Sequence, residues 1–281
     1  MSAFPDSSVT YFQRKAGVGV SLERLFDSVR GALPPHVHAS VWRGKYHGTR
    51  PIGLASNILT ASRAQADINH VTGDVHYLCL GLRGARTILT ILDCWRYEEL
   101  AGLRRWCFYL LWLKLPVARA AAVTVISADT KERGVRYTGC PPEKVTVVHC
   151  CLPEHIAYAP KPFDAACPFL LQIGSKPTKN LSRVARALTG VPCHLRIIGK
   201  PTPAQKQILA KSGVRYSAAS GISDEQMAAE YRACDAVITA SVHEGFGLPI
   251  IEGQATGRPV ITGNTSAMPE VAGEGARLVD P

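Results

Sequence analysis

Two carboxylates eight positions apart, Glu244 and Glu252, bound a stretch reading Glu-Gly-Phe-Gly-Leu-Pro-Ile-Ile-Glu. Between them, Gly245 and Gly247 let the backbone approach a ligand with no Cβ in the way. Pro249 suits the first turn of a helix, where its missing N–H would have no partner anyway. The helix predicted behind it runs over 250–256. Its N-terminus presents unpaired N–H groups and a partial positive charge, a seat for phosphate. Carboxylates on either side of that seat are poorly suited to holding the anion. They suit hydroxyls flanking it, whose hydrogen bonds they accept. A sugar on one side and a ribose on the other meet that demand. The element that must deliver the stretch is the apolar run at 236–240, which reads as a strand.

This stretch resembles the E-x7-E motif of retaining glycosyltransferases of the GT-B fold, especially the large family 4. The likeness continues through Gly257-Arg-Pro-Val-Ile-Thr and Met268-Pro-Glu-Val-Ala-Gly. It implies two doubly wound, Rossmann-like α/β domains facing a cleft, and a nucleotide-diphospho-sugar donor. On that likeness Glu252 binds the ribose hydroxyls and Glu244 the transferred sugar, with Gly245, Phe246, Gly247 and Leu248 in the loop between. A second match is Gly174-Ser-Lys-Pro-Thr-Lys-Asn180, where relatives carry a glycine-to-Lys-Asn loop. There Lys179, and beside it Lys176, would grip the donor diphosphate. In relatives the glycines of the first loop approach the donor phosphate and sugar, which here are Gly17 and Gly19. The chain departs from the family in two places. Relatives commonly read T-I-H-D where this chain has Thr90-Ile-Leu92-Asp93. Relatives also usually continue past the equivalent of Pro281 through helices that close onto the N-terminal domain, so the resemblance implies a C-terminally shortened member.

Composition bounds the alternatives. The chain has 281 residues, 46% hydrophobic and 19% charged, enough for two modest α/β domains with proper cores. The first residues lack the apolar core of a signal peptide. The apolar run at 106–113 ends at Lys114, short of the ~18 residues that span a bilayer. Nine scattered cysteines with no C-x-x-C suit reduced thiols and a cytoplasmic setting. A net charge of +10 favours an anionic partner. No basic tract interleaved with aromatics points to nucleic acid.

Along the chain, strands are expected at 8–12, 67–71, 87–93, 123–127 and 144–148. The first is followed by the glycine turn and a helix from about Ser21, read as its N-cap, with Leu22, Leu25, Phe26, Val29 and Leu33 on one face. Ligands gather beyond the carboxyl ends of parallel strands, which favours His76 and Asp93 over the other histidines and aspartates. His36, His38, His47 and His194 have no metal-ligand spacing. A helix expected over 98–121 mixes Trp106, Phe108, Tyr109 and Trp112 with Arg104, Arg105, Lys114 and Arg119. It suits either a core helix with solvated ends or one lying on an anionic membrane surface. Prolines 153, 160, 162 and 168 mark the linker. The expected domains are 1–155, on the acceptor side, and 156–281, binding the nucleotide-sugar.

The expected activity is hexosyl-type transfer from a nucleotide-diphospho-sugar to a saccharide or lipid-linked saccharide, with retention of configuration. The catalytic candidates are Glu244, His76 and Asp93. No D-x-D occurs, so metal independence is expected, with no cofactor beyond the donor substrate. The other readings are a catalytically impaired sugar-nucleotide-binding or scaffold protein, and another GT-B chemistry such as epimerisation.

Overall fold

The computed structural model describes residues 5–15, 17, 20–48 and 50–281. Gly19 lies outside them. The chain divides into two compact units, Met1–Cys150 and Cys151–Pro281. The division stands at the head of the proline-rich stretch, which carries no helix or strand before residue 169.

The first unit runs β1 (Ser7–Gln13), α1 (Val20–Gly31), β2 (Val37–Arg43), α2 (Pro51–Ser62), β3 (Ile68–Val71), a 3₁₀ segment (His76–Leu80) and β4 (Thr87–Ile91). It continues with α3 (Trp95–Glu99), α4 (Gly102–Phe108), a π-helical segment (Tyr109–Lys114), α5 (Leu115–Arg119), β5 (Ala122–Val125), α6 (Ala128–Thr138) and β6 (Val145–Val147). Its six strands lie in the order β2-β1-β3-β4-β5-β6 and every pairing is parallel. Strands of such a sheet are buried on both faces, hence their near-continuous apolar runs. Phe12, Val71, Leu89 and Ile91 form the main core with Trp112, Leu113 and Val117. A smaller core joins Val9 and Tyr11 to Phe26 of α1.

The second unit runs β7 (Phe169–Ile173), α7 (Leu181–Ala187), β8 (His194–Ile198), α8 (Pro203–Ser212), β9 (Arg215–Ala219), α9 (Asp224–Ala233) and β10 (Ala236–Thr239). α10 (Leu248–Ala255), β11 (Val260–Gly263), α11 (Met268–Ala272) and β12 (Ala276–Val279) complete it. Its strands lie in the order β12-β11-β10-β7-β8-β9, again all parallel. Helices alternate with strands throughout both units, so each is a Rossmann-like body of the kind paired in the GT-B fold.

Two local expectations are corrected, and two elements lay outside them. α1 begins at Val20, so Ser21 stands within its first turn rather than ahead of it. The stretch at 98–121 is not one helix. The chain leaves α3 at Leu100, turns through Gly102 at φ +56° and re-enters a helix that runs to Arg119 through the π segment. Pro116 falls just after that segment, where its missing N–H removes one bond from the ladder. β2 and α2 were not anticipated. β2 carries the period-2 alternation of a strand over Val37–Val41 and was passed over, whereas α2 is an uncharged helix with exposed leucine and isoleucine and gives no clean periodic signal.

Candidate active site

In each sheet the strand order reverses once, and ligands of open α/β sheets bind beyond the carboxyl ends of strands at that point. In the second unit the reversal falls between β7 and β10. The loops leaving those two neighbours are 174–180 and 240–247, which together hold most of the residues singled out in the sequence. They are laced to each other. Val242 N donates to the Thr178 carbonyl at 2.9 Å. The Asn180 side-chain amide donates to the Ala240 carbonyl at 3.1 Å. Gln172, at the end of β7, donates to the Lys179 carbonyl at 3.0 Å. Gly174 and Asn180 both take positive φ, +93° and +56°, which turns the loop and starts α7.

At the mouth of these loops Lys179 Nζ lies 2.5 Å from Glu244 Oε1, both side chains half-buried. Ser241 Oγ donates to the same carboxylate oxygen at 2.6 Å, and Glu244 N donates to Ser266 Oγ at 3.0 Å. Lys176 is exposed on the loop. Phe246 is buried beneath the second loop, and Gly247, at φ +103°, leads into α10. A Cβ there would fall 2.9 Å from Ile250 Cδ1. Behind it Gly253 lets α10 settle onto the sheet, since a Cβ would lie 2.9 Å from Val237 and 3.0 Å from Val260. α10 therefore starts directly after the loop whose Glu244 pairs with Lys179.

Glu252 sits one turn into α10 and accepts a hydrogen bond from the hydroxyl of Tyr231, a fully buried residue of α9. Burial pushes the Glu252 carboxyl above the usual range, against the opposing pull of the tyrosine hydroxyl and of the His155 and Lys179 charges. Burial and the Glu252 charge in turn push the Tyr231 hydroxyl well up, so it stays a proton donor. Tyr231, Ser241, Ser266 and Gln172 were missed in the sequence. Only Ser241, three residues before Glu244, stood near enough to the motif to be suspected.

In the first unit the order reverses between β1 and β3. Gly17, on the loop after β1, takes φ +80° with open space where a Cβ would stand. Its N–H already donates to Glu23 Oε1 at 2.9 Å, a carboxylate of the first turn of α1. His76 opens the 3₁₀ segment after β3 and is 6% exposed. Its Nδ1 pairs with the Trp112 carbonyl at 2.6 Å. Burial lowers its pKa, opposed by the nearby charges of Asp74 and Asp93. Asp93 is exposed, its Oδ1 accepting from Trp95 N at 3.0 Å. Leu92 is half-buried, its carbonyl accepting from the Thr130 hydroxyl at 3.4 Å. The His76 ring is thus bonded to the Trp112 carbonyl rather than exposed to solvent, within reach of the Asp93 charge but with no hydrogen bond to it among the bonds of the described residues.

Two parallel sheets with interleaved helices define the GT-B class, and solved structures of that class share it. HepE of Anabaena, in complex with UDP and glucose, superposes with a TM-score of 0.72 at 15% identity, covering 98% of this chain and 86% of that one. WaaG, a glycosyltransferase involved in lipopolysaccharide biosynthesis, gives 0.72 at 15%, covering 97% and 86%. The sucrose-phosphate synthase of Thermosynechococcus elongatus gives 0.74 at 16%, covering 98% and 86%. Residues 170–281 match the family described as glycosyl transferases group 1, and so carry a domain of that kind. No curated protein sequence matches the chain.

Proposed function

We propose that the protein transfers a sugar from a nucleotide-diphospho-sugar to a saccharide or lipid-linked saccharide acceptor, with retention of configuration and without a metal. The second unit takes the donor and the first unit the acceptor. The observation that carries this reading is the half-buried Lys179–Glu244 pair on two interlaced loops, with a second half-buried carboxylate, Glu252, in the helix that follows. Lys179, Lys176 and the α10 N–H groups neutralise the diphosphate. Glu252, oriented by Tyr231, accepts from the ribose hydroxyls. Once the diphosphate draws Lys179 away, Glu244 is free to accept from hydroxyls of the sugar. In the reaction the bond from the anomeric carbon to the diphosphate oxygen breaks. The acceptor oxygen bonds that carbon on the same face, and its proton passes to a leaving phosphate oxygen. No enzyme nucleophile is required, unlike the paired carboxylates of retaining hydrolases.

A calorimetric screen of UDP-, GDP- and ADP-sugars tests the donor half. One series should bind, and Glu252→Ala should lose about 1.5–3 kcal/mol, roughly 10- to 150-fold, by removing a buried acceptor of two hydroxyls. Unchanged affinity in that variant contradicts the role of Glu252. A second reading, a sugar-nucleotide-binding protein slow in transfer, is favoured by one observation. Leu92 can neither donate nor accept a hydrogen bond from its side chain where relatives carry histidine, and His76 is already bonded to Trp112.

A further inference from the structure

Positive φ is the backbone region that glycine enters at no steric cost. Among the described residues only Asn180 and Ser266 enter it with a side chain, at φ +56° and +49°. Asparagine tolerates the region, whereas serine is rarely found there and is strained. Both stand in loops that flank the one carrying Glu244. The strand order β11-β10-β7 sets the loop 240–247, which leaves β10, between the loop leaving β7 and the loop leaving β11. Asn180 ends the first of these flanking loops, and Ser266 lies in the second.

Each reaches the middle loop through its side chain. The Asn180 amide nitrogen donates to the Ala240 carbonyl at 3.1 Å, where the loop leaves its strand. The Ser266 hydroxyl accepts from Glu244 N at 3.0 Å, at the residue that carries the carboxylate. The β11 side also approaches closely through its backbone, since a Cβ on Gly263 would stand 2.8 Å from the Ser241 carbonyl oxygen. Glycine at position 180 or 266 would satisfy the same backbone turn with less strain, but it would supply neither bond. The side-chain bonds are therefore what these two residues add. Between them Val242 N donates to the Thr178 carbonyl at 2.9 Å, and Ser241 Oγ donates to Glu244 Oε1 at 2.6 Å. A loop held from both sides by such a network loosens as a unit when either side is released.

We infer that Ser266 and Asn180 are positioning residues, which hold the 240–247 loop from its two sides and keep Glu244 aimed for a ligand. The catalytic consequence rests on the donor reading above, but the clamp itself does not. Variants of the full chain separate the side-chain bond from the backbone turn. Ser266→Gly and Asn180→Gly keep positive φ and remove one bond each. Ser266→Thr keeps the hydroxyl and adds a β-branch, which this backbone region resists. Asn180→Asp tolerates the turn but offers no donor, so it should behave as Asn180→Gly does. Amide hydrogen exchange of the free protein reads the loop, and thermal denaturation reads the fold. Ser266→Gly should speed exchange at Val242, which is bonded to the far loop, by about tenfold or more. Asn180→Gly should do the same at Glu244, while amides of β7, β8 and β10 keep the parent's protection. Ser266→Thr should melt lower than Ser266→Gly and still protect Val242, an order that a merely structural role would reverse. In a single turnover at saturating donor, Ser266→Gly should slow transfer about tenfold or more through the misplaced Glu244. Its donor affinity should change by less than about threefold, and Ser266→Thr should transfer at the parent's rate. The inference is overturned if the glycine variants exchange like the parent at these amides, or if exchange rises throughout the second unit in step with lost stability. It is also overturned if the loop loosens and transfer keeps its rate. A parent that transfers no sugar contradicts the donor reading instead, and the exchange result still decides the clamp.

Discussion

Glu252 has two partners to reconcile, the Tyr231 hydroxyl and the ribose proposed for it. A carboxylate has two oxygens and about four lone-pair sites, so Tyr231 on one oxygen leaves the other open. Burial makes the charged form costly until a ligand supplies further hydrogen bonds. The sign of the consequence follows from its raised pKa. The folded state binds this proton more tightly than the unfolded state does. The associated stability is present below the ordinary glutamate value and is lost as pH rises through the raised folded value. Glu252→Gln should therefore melt higher than the parent at pH 7 without donor, with the gain vanishing near pH 4, while its donor affinity falls. Thermal denaturation at the two pH values checks this, and a gain that is equal at both contradicts it. Lys179 is the complementary case. Its basic character and its place in the loop were evident in the sequence, but its ion pair with Glu244 was not, because 65 residues separate the two.

At the scale of elements, the strand–loop–helix from β10 into α10 was the most legible part of the chain. A buried apolar strand, glycines at the turn and a proline at the helix start all point to one local structure. Gly247 carries the sharpest demand. Alanine there must adopt φ near +103° and meet Ile250, which should destabilise the second unit by about 1–3 kcal/mol and displace the α10 N-terminus. Chemical denaturation with a donor titration checks it, and an unchanged midpoint with full affinity contradicts it. α2 and the break before α4 were illegible for the opposite reason, since local pattern and solvent exposure conflict there. In β3, His70 was passed over as one letter of a strand. It packs edge-on against Phe26, beside Tyr11, and its Nε2 pairs with Thr90 Oγ1 at 2.7 Å. Burial lowers its pKa to about 4. The folded state thus holds a neutral ring that the unfolded chain protonates from about pH 6.5 downward. Stability present above that pH should fall by on the order of 3 kcal/mol on acidification toward pH 4. A His70→Phe variant should lack this component in denaturation curves taken across that range.

At the scale of the whole molecule, alternation of strands and helices on both sides of a proline-rich stretch made two doubly wound bodies readable from the sequence, while the GT-B class came from the resemblance carried by Glu244–Glu252. The strand orders, which place loops 174–180 and 240–247 side by side, were not readable, because parallel neighbours come from distant segments. The residues that brace the site share this property: Tyr231 reaches Glu252 from another helix, and Ser266 reaches Glu244 from the loop after β11. The central claim is sugar transfer with retention, and it is tested most directly in a single turnover. The donor that binds, radiolabelled in its sugar, is mixed with excess protein and a panel of saccharide and lipid-linked acceptors. Labelled product is followed in time, and the anomeric configuration of the new bond is read by NMR. The parent should give product with the donor's own configuration. Leu92→His should give it faster at unchanged donor affinity if the leucine limits the rate. Product of inverted configuration, or a bound donor whose sugar is never transferred by either protein, would contradict the account.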